Sequence, residues 1–383
     1  MRVAVLGGGP SGAMAAEHLA DAGMETLLFD EKPAWEKPCG GGVTFKSYSQ
    51  YPFLQHGTAV KKVVRETIIE APGVKPVKLQ LEQPLLIYSR VDLNGLLLER
   101  AVRSGAQIEQ TRVISAERNG AGWEIQTKTG RVKADHCIIA TGARNSLRDF
   151  GTHLTPRDTM GTAGYFVPGE HDRIDLAFLP ELEGYIWVFP RCGHMSVGIC
   201  GKGEPNAALR ERLHRYMDEK GISREGAAFY SHLLPCLEPE AWRRNHVAGE
   251  GWMATGDAAG LVDPVTGEGI YYAIRSGDLA AQALLEDGPE RASVGYRKRL
   301  KKEFTLDLEV SSRLAHRLFR GRFLGAPIFS RMVQSARLSP TVQGVVQDLF
   351  AGTQPYAGLK RRLIHSLPRE LGEIAWNSLR RAA

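Results

Sequence analysis

The stretch that most constrains this chain lies at its start. An apolar run, Val3 to Leu6, enters Gly7-Gly8-Gly9-Pro10-Ser11-Gly12 and leaves through a helical pattern from Ala13 to Ala22. Each glycine has a job that a side chain would obstruct. Gly7 permits the tight turn out of the strand, Gly9 lets the backbone approach a pyrophosphate, and Gly12 lets helix and strand pack closely. The pyrophosphate would sit at the positive end of the helix, facing its N–H groups. A second apolar run, Thr26 to Phe29, ends in Asp30-Glu31-Lys32, which puts Glu31 19 residues beyond Gly12, where a ribose hydroxyl needs an acceptor. Glu31 is assigned that role, with Asp30 as the alternative. Strand, glycines, helix, strand and acid in this order specify a dinucleotide site; they do not say which dinucleotide.

At 383 residues the chain is long enough for two or three domains sharing a core. Its 43% apolar and 24% charged content are those of a soluble globular protein. No apolar stretch approaches the roughly 18 residues that span a bilayer, and a strand starting at Arg2 leaves no room for a secretory leader. Cys39, Cys137, Cys192, Cys200 and Cys236 are odd in number and irregularly spaced, with no C-x-x-C pair. That pattern excludes a disulfide framework and a zinc site, and points to the reducing cytoplasm. Neither a metal nor a nucleic-acid partner is expected. The net charge of +6 is uneven: from Ser311 onward 12 Lys and Arg face 3 Asp and Glu, giving +9, so residues 1 to 310 carry −3.

After Glu31, the segment Glu36-Lys37-Pro38-Cys39-Gly40-Gly41-Gly42-Val43 interrupts regular structure. Three glycines in a row can lie flat against a ligand and offer bare N–H groups, or form a flexible loop. Residues 60 to 89 alternate like strands of an inserted antiparallel sheet, punctuated by Pro72-Gly73 and Pro84. Arg90 then opens a helix from Val91 to Ser104, at the end where the macrodipole disfavours a cation. It either answers to an anion such as the pyrophosphate or lies on the surface. Ile108 to Ala116 and Trp123 to Thr129 read as strands around the Asn119-Gly120 turn. Ala134 to Ala140 reads as a buried strand ending in Thr141-Gly142-Ala143-Arg144-Asn145-Ser146.

Met160 to Cys200 is again strand-like and contains Gly184-Tyr185-Ile186-Trp187-Val188-Phe189-Pro190. Alternation puts Tyr185, Trp187 and Phe189 on one face, a stripe that suits either plain core or a ligand wall. Residues 205 to 231 read as helical. Trp252 to Thr255 is a short strand running into Gly256-Asp257, and Gly267-Glu268-Gly269-Ile270 opens a helix to Leu285. A carboxylate at a strand end and N–H donors at a helix start suit a polyol on one side and an electron-rich ring on the other. The last hundred residues read as mostly helical. Leu314, Leu318, Phe319, Phe323 and Leu324 are interleaved with Arg313, Arg317, Arg320 and Arg322, and Lys360-Arg361-Arg362 precedes Leu363-Ile364. Such helices can lie on anionic lipid or pack against the body of the protein.

These separated motifs together resemble the geranylgeranyl reductase family of FAD-dependent oxidoreductases, within the larger group that holds the aromatic hydroxylases and flavin-dependent halogenases. The residues that carry the resemblance are Gly7 to Gly12 with Glu31, Lys37-Pro38-Cys39-Gly40-Gly41-Gly42, Arg90, Tyr185-x-Trp187-x-Phe189-Pro190, and Gly256-Asp257 through Tyr271. The resemblance implies an α/β protein, α+β overall. A Rossmann-type FAD-binding domain (1–59, 90–155 and 245–286) would carry an inserted antiparallel-sheet substrate domain (60–89 and 156–244) and a helical C-terminal region (287–383). It implies FAD, with Glu31 on the adenosine ribose, Arg90 near the pyrophosphate, Asp257 on the ribityl chain and the Gly267 to Ile270 backbone at the pyrimidine side of the ring. Pro10, Ser11, Lys32, Val113, Thr141, Gly142 and Pro264 would join the cofactor contacts, as would Cys39, Gly40 and Gly41.

By the same resemblance Gly42, Tyr185, Trp187 and Phe189 would line the substrate cavity, with Cys39, Tyr185 and Trp187 at the chemistry. The hydroxylases usually carry Asp-Gly where this chain has Thr141-Gly142, so the electron donor stays open between NAD(P)H and ferredoxin. The activity implied is reduction of a carbon–carbon double bond in an isoprenoid or other apolar lipid, at the cytoplasmic face of a membrane touched by the basic C-terminal helices. A flavin monooxygenase or halogenase acting on an aromatic substrate is the alternative, and a flavin-bearing docking protein without turnover a third reading.

Overall fold

The computed structural model describes residues 1–120, 122–147, 149–359 and 361–362. Lys360, Leu363 and Ile364 of the second basic cluster lie outside the described residues. The fold is mixed α/β, and the described residues divide into two compact units: residues 1–37, 90–159 and 233–309, and residues 38–89, 160–232 and 310–362. These cuts differ from the sequence reading chiefly at three places, the first being that residues 233–244 fall in the first unit. Residues 38–59 belong with the second unit because Gly42–Val43 pairs antiparallel with the strand Val77–Tyr88. The C-terminal region is shared out, because the helix Ala292–Leu300 packs on the first unit while Ile328–Ala336 and Pro340–Ala351 pack on the second.

The first unit is built on a six-stranded sheet in the order Ala248–Gly249, Trp252–Ala254, His136–Ile139, Arg2–Leu6, Glu25–Phe29, Gln107–Glu109. All neighbours run parallel except the Ala248–Gly249 edge. Val3 to Leu6 are fully buried, as an apolar run covered on both faces requires. The helix Pro10–Asp21 owes its close packing to small residues, with Ala13, Ala15 and Ala16 wholly buried. The helix Ile270–Asp287 crosses its start at Gly277, where a Cβ would come within 2.1 Å of the Ser11 carbonyl oxygen. The sequence reading of one strand from Ile108 to Ala116 is corrected: Gln107–Glu109 ends the parallel sheet, and a turn closed by Thr111 N–H to the Glu109 carbonyl (2.8 Å) separates it from Val113–Asn119. Val113–Asn119 joins Gly122–Thr127 and Arg131–Ala134 in a separate three-stranded antiparallel sheet.

The second unit holds an eight-stranded sheet in the order Ala228–Pro235, Thr159–Pro168, His194–Lys202, Gly184–Pro190, Ile174–Ala177, Lys61–Glu70, Val77–Tyr88, Gly42–Val43. Its pairings are antiparallel apart from Ile174–Ala177 on Lys61–Glu70. Pro84 does not break its strand. The register shifts between Val64 and Glu66, leaving residues 81–84 opposite Arg65 alone, so the missing proline N–H falls in a bulge. The region 205–231, read as helical throughout, is a helix only over Asn206–Glu219; Ala228 begins an edge strand. That helix covers one face of the sheet, burying Leu209, Leu213 and Met217 against Ala163, Ile186, Val188, Val197 and Ile199. The helices Ile328–Ala336 and Pro340–Ala351 cover Ile69, Val77 and Leu79 with Val333, Val342 and Val346.

Candidate functional site

In the first unit the glycine turn has the geometry its spacing implies. Gly7 sits at φ +117°, and a Cβ there would lie 2.2 Å from the Ala140 carbonyl oxygen. A Cβ on Gly12 would meet the Gly7 oxygen at 1.9 Å, whereas one on Gly9 would meet nothing within 4 Å. Gly9 therefore presents an open side at the mouth of the turn. The helix behind it starts at Pro10 and has no side-chain cap, which leaves the positive end of the dipole facing outward.

The carboxylate nearest this turn is that of Asp30, the alternative of the sequence reading. Its oxygens accept from Gly8 N–H at 2.6 Å and Lys32 N–H at 2.7 Å. Glu31, assigned to the ribose from its spacing, is exposed and paired with the Lys128 ammonium, whose hydrogen bond holds it below the usual carboxylate range. The strand Glu25–Phe29 ends one residue before Asp30, and period-2 alternation turns the next side chain away. Val113 stands half-buried at the head of the small antiparallel sheet.

Arg90 opens the helix Arg90–Arg103 and is 4% exposed, so the surface reading fails. Its backbone N–H donates to Glu36 Oε1 at 3.0 Å and its Nη2 to Asn94 Oδ1 at 3.1 Å, while Nε is buried with no partner. A buried guanidinium with an unanswered donor suits an anion. Gly142 follows the central strand at φ +78°, and Thr141 Oγ1 donates to Asn145 Oδ1 at 2.8 Å.

Gly256, at φ +57°, donates its N–H to Ser276 Oγ at 2.9 Å, and a Cβ on it would come 3.0 Å from Ser11 Oγ. The late Gly-Asp motif thus meets the N-terminal turn across most of the sequence. The Asp257 carboxylate lies 3.0 Å from Lys37 Nζ, both partly buried. Asp263 closes the loop holding Pro264 and Gly267 by accepting from Val265 N–H at 2.8 Å. Glu268 caps the helix that starts at Ile270 through Tyr271 N–H at 2.7 Å, and Gly269 lies close beside Val262.

In the second unit the triple glycine forms a packed turn. Gly41, at φ +85°, would place a Cβ 2.1 Å from the Tyr88 carbonyl oxygen, and its N–H points to Cys39 Sγ at 3.3 Å. Gly40 and Gly42 lie on the Phe189 ring, where Cβ atoms would come within 3.3 and 3.0 Å. The glycines let the turn close down on Phe189, which makes that ring the floor of the turn.

Sequence reasoning missed the polar hub beneath Cys39. Ser196 Oγ donates to the Cys39 carbonyl at 2.9 Å, accepts from Trp187 Nε1 at 3.3 Å, and shares a 2.9 Å hydrogen bond with the Tyr230 hydroxyl. Arg191, wholly buried, donates to the Cys39 and Gly40 carbonyls with its guanidinium over the Phe166 ring. Burial pushes the Tyr230 hydroxyl far above the usual phenol range, so it stays a neutral donor. Only Arg191 left a trace in the sequence, as a cation directly after the aromatic strand.

The aromatic stripe occupies the sheet face opposite Ile186 and Val188, and Phe189 at its end packs on a second aliphatic cluster of Val64, Leu85, Ile87 and Ile174. Tyr185, Trp187 and Phe189 pair with Cys200, Gly198 and Ser196 on the neighbouring strand. The Trp187 ring fills the space over Gly198, and Tyr230 the space over Gly164, where Cβ atoms would each come to 2.3 Å. Tyr185 is half-buried and packs edge-on against Trp187 at 6.1 Å between centroids.

Residues 1–155 match the family model of the pyridine nucleotide-disulphide oxidoreductases. The chain is 30% identical to digeranylgeranylglycerophospholipid reductase 2 of Methanothermobacter thermautotrophicus, over 81% of this chain and 85% of the relative. It is 28% identical to the menaquinone reductase of Mycolicibacterium smegmatis, over 94% of this chain and 97% of the relative. In fold it is similar to a geranylgeranyl bacteriochlorophyll reductase-like protein of Thermoplasma acidophilum, with a TM-score of 0.77 and 23% identity over 95% of this chain and 98% of that one.

Proposed function

The chain belongs to the geranylgeranyl reductase family of FAD-dependent oxidoreductases, and on that premise we propose that it saturates carbon–carbon double bonds in the isoprenoid chain of a lipid. The observation that carries this reading is the aromatic face of the second unit, where Trp187 is bonded through Ser196 to the Cys39 turn on the side away from the buried Ile186 and Val188. An isolated alkene offers no polar group to grip, so it must be held by flat, rigid apolar side chains. The relatives named for a digeranylgeranyl lipid and for menaquinone support a substrate of that class.

The first unit fits FAD on its own geometry: an open Gly9, a helix start without a cap, the Asp30 carboxylate and the unanswered Arg90 Nε. We assign the pyrophosphate to Gly9–Gly12 and Arg90, the adenosine ribose to Asp30, the ribityl chain to Asp257, and the pyrimidine side of the ring to the Gly267–Ile270 backbone. Reduced FAD supplies hydride. The chain's own part is to place the alkene against Tyr185 and Trp187, exclude water, and deliver a proton to the second carbon from the Cys39 thiol or the Tyr185 phenol. Arg191 and Ser196 hold the Cys39 carbonyl and so fix where the thiol stands. Thr141, standing where related hydroxylases carry Asp, removes a carboxylate from the encounter with NAD(P)H and leaves the donor open between NAD(P)H and ferredoxin. A lipid substrate places the protein at the cytoplasmic face of a membrane.

The test is anaerobic. Dithionite-reduced protein should be reoxidised by polyprenyl lipids, followed by flavin absorbance, with the product gaining one H2 per double bond. Reoxidation only by oxygen, with an oxygenated or halogenated aromatic product, would replace this reading with the monooxygenase one.

A further inference from the structure

Two apolar side chains stand out on the second unit. Phe323 is 60% exposed and Leu324 75%, the most exposed large apolar residues among the described ones. They sit at the tip of a hairpin whose strands are Arg322–Phe323 and Ala326–Pro327. Leu324 (φ +48°) and Gly325 (φ +78°) form the turn, so a branched apolar residue occupies a left-handed position that Asn or Gly ordinarily takes. The strain and the exposure both work against the folded monomer, which directs attention to something outside it.

We propose that the hairpin Arg322–Pro327 docks the protein on an anionic lipid bilayer, with Phe323 and Leu324 inserted among the acyl chains. Charge supports this occupant. From Val310 to Ser339 the chain holds six arginines, Arg313, Arg317, Arg320, Arg322, Arg331 and Arg337, and no Lys, Asp or Glu. The first four are exposed. Basic residues close to an anionic surface each add roughly fivefold to partitioning. The backbone of the tip is also prepared to leave water. Arg331 donates to the Phe323 carbonyl at 3.2 Å and to that of Leu324, and Arg322 donates to that of Gly325. Carbonyls already bonded in this way enter an interface without stranding an acceptor. Two side chains expose far less than the roughly 1,200 Å² that a stable protein interface buries, whereas a bilayer needs only insertion plus charge.

The hairpin also stands at the end of an aromatic run. Tyr185 packs against Phe178 at 6.2 Å, Phe178 stacks on Phe329 at 3.7 Å, and Phe329 meets Phe319 at 5.0 Å. Phe319 and Phe329 flank the hairpin on either side in sequence. Phe319 and Phe329 are buried, so the run is packed core that anchors the hairpin to the aromatic face rather than an open track. The docking does not rest on the reductase reading.

The experiment uses the full-length, FAD-loaded protein with vesicles of phosphatidylcholine alone or mixed with phosphatidylglycerol, read by co-sedimentation. Wild type should bind the anionic vesicles, less so in high salt. Phe323→Ser with Leu324→Ser should lower partitioning at least tenfold, and Arg317→Glu with Arg322→Glu should abolish the preference for anionic lipid. Both variants should keep flavin absorbance, melting temperature and turnover of a detergent-dispersed short-chain substrate. Vesicle binding unchanged in the hairpin variant would overturn the proposal, as would hairpin-dependent self-association in sedimentation velocity without lipid binding. Intact vesicle binding in a protein that reduces no prenyl lipid would sink the reductase reading and leave the docking standing.

Discussion

Ser196→Ala tests the polar hub with a magnitude worked from its partners. Ser196 Oγ serves three groups: the Cys39 carbonyl, Trp187 Nε1 and the Tyr230 hydroxyl. The Cys39 carbonyl keeps Arg191, so its loss is partial. Tyr230 is 7% exposed and Trp187 equally so, and each loses a partner in the interior. A buried polar group left unsatisfied costs about 1–3 kcal/mol, and the Trp187 contact at 3.3 Å is the weaker of the two, so about 2–4 kcal/mol is expected in all. Adding Tyr230→Phe removes a hydroxyl left with Trp187 as its remaining partner and should recover about 1 kcal/mol of that loss, because deleting both partners of a hydrogen bond is nearly neutral. The assay is guanidinium unfolding of wild type, both single variants and the double variant, with the alkylation rate of Cys39 measured alongside. Recovery in the double variant with an altered thiol rate in Ser196→Ala supports the hub. A double variant no more stable than Ser196→Ala would refute the reasoning, since Tyr230 would then not depend on Ser196.

Trp187→Ala should cut turnover of a prenyl substrate at least tenfold while retaining FAD by absorbance; loss of FAD instead would make the ring structural. Asp30→Asn should weaken FAD affinity by roughly tenfold, about 1.4 kcal/mol, whereas Glu31→Gln should change it less than twofold, measured by fluorescence titration of the apoprotein. His136 is 1% exposed with neither ring nitrogen partnered, and burial lowers its pKa from 6.5 to about 4. The unfolded chain therefore takes up a proton below pH 6.5 that the native state refuses, so stability present above that pH falls by up to about 3 kcal/mol as pH drops to 4. His136→Leu should flatten that part of the urea-midpoint profile, and an unchanged slope would show that other groups govern acid stability.

The parallel sheet and its glycine turn were readable because the requirement is local. Gly7 at φ +117° and Gly12 packed on the Gly7 oxygen are demands of the turn itself, and spacing reports them. Which of Asp30 and Glu31 turns toward the glycine turn was not readable, because that depends on where the strand stops, and a shift of one residue reverses the side chain. The helix assigned to 205–231 failed for a similar reason. Ala228 to Pro235 is an edge strand whose exposed residues are Ala228 and Phe229 and whose middle is only half-buried, so no apolar alternation marks it in sequence. The Ser196 hub was invisible because its members lie on separate strands and an isolated serine has no signature. Thr141 and Asn145, by contrast, sit four residues apart and bond directly, yet the motif they form is read only once the family is known.

The strand Gly184–Pro190 shows why its aromatics could not be classified from sequence. Ile186 and Val188 belong to the aliphatic core under the helix Asn206–Glu219, and burial alone accounts for them. Tyr185, Trp187 and Phe189 occupy the other face, where Gly198 lies beneath Trp187 and Gly40 and Gly42 lie against Phe189, whose ring also packs on the aliphatic cluster of Val64, Leu85, Ile87 and Ile174. Glycine in a strand costs stability and offers nothing to pack, so its use beneath large rings sets the height at which those rings stand above the sheet. The two faces should therefore answer mutation differently. Ile186→Ala removes core volume and should cost about 2–5 kcal/mol of stability with little specific effect on substrate affinity. Gly198→Ala, whose Cβ would come 2.3 Å from the indole, should displace Trp187 and raise KM for a prenyl substrate well before it affects FAD binding. If Gly198→Ala lowered stability and left KM unchanged, the aromatic face would be core after all, and the substrate would have to be sought elsewhere on the chain.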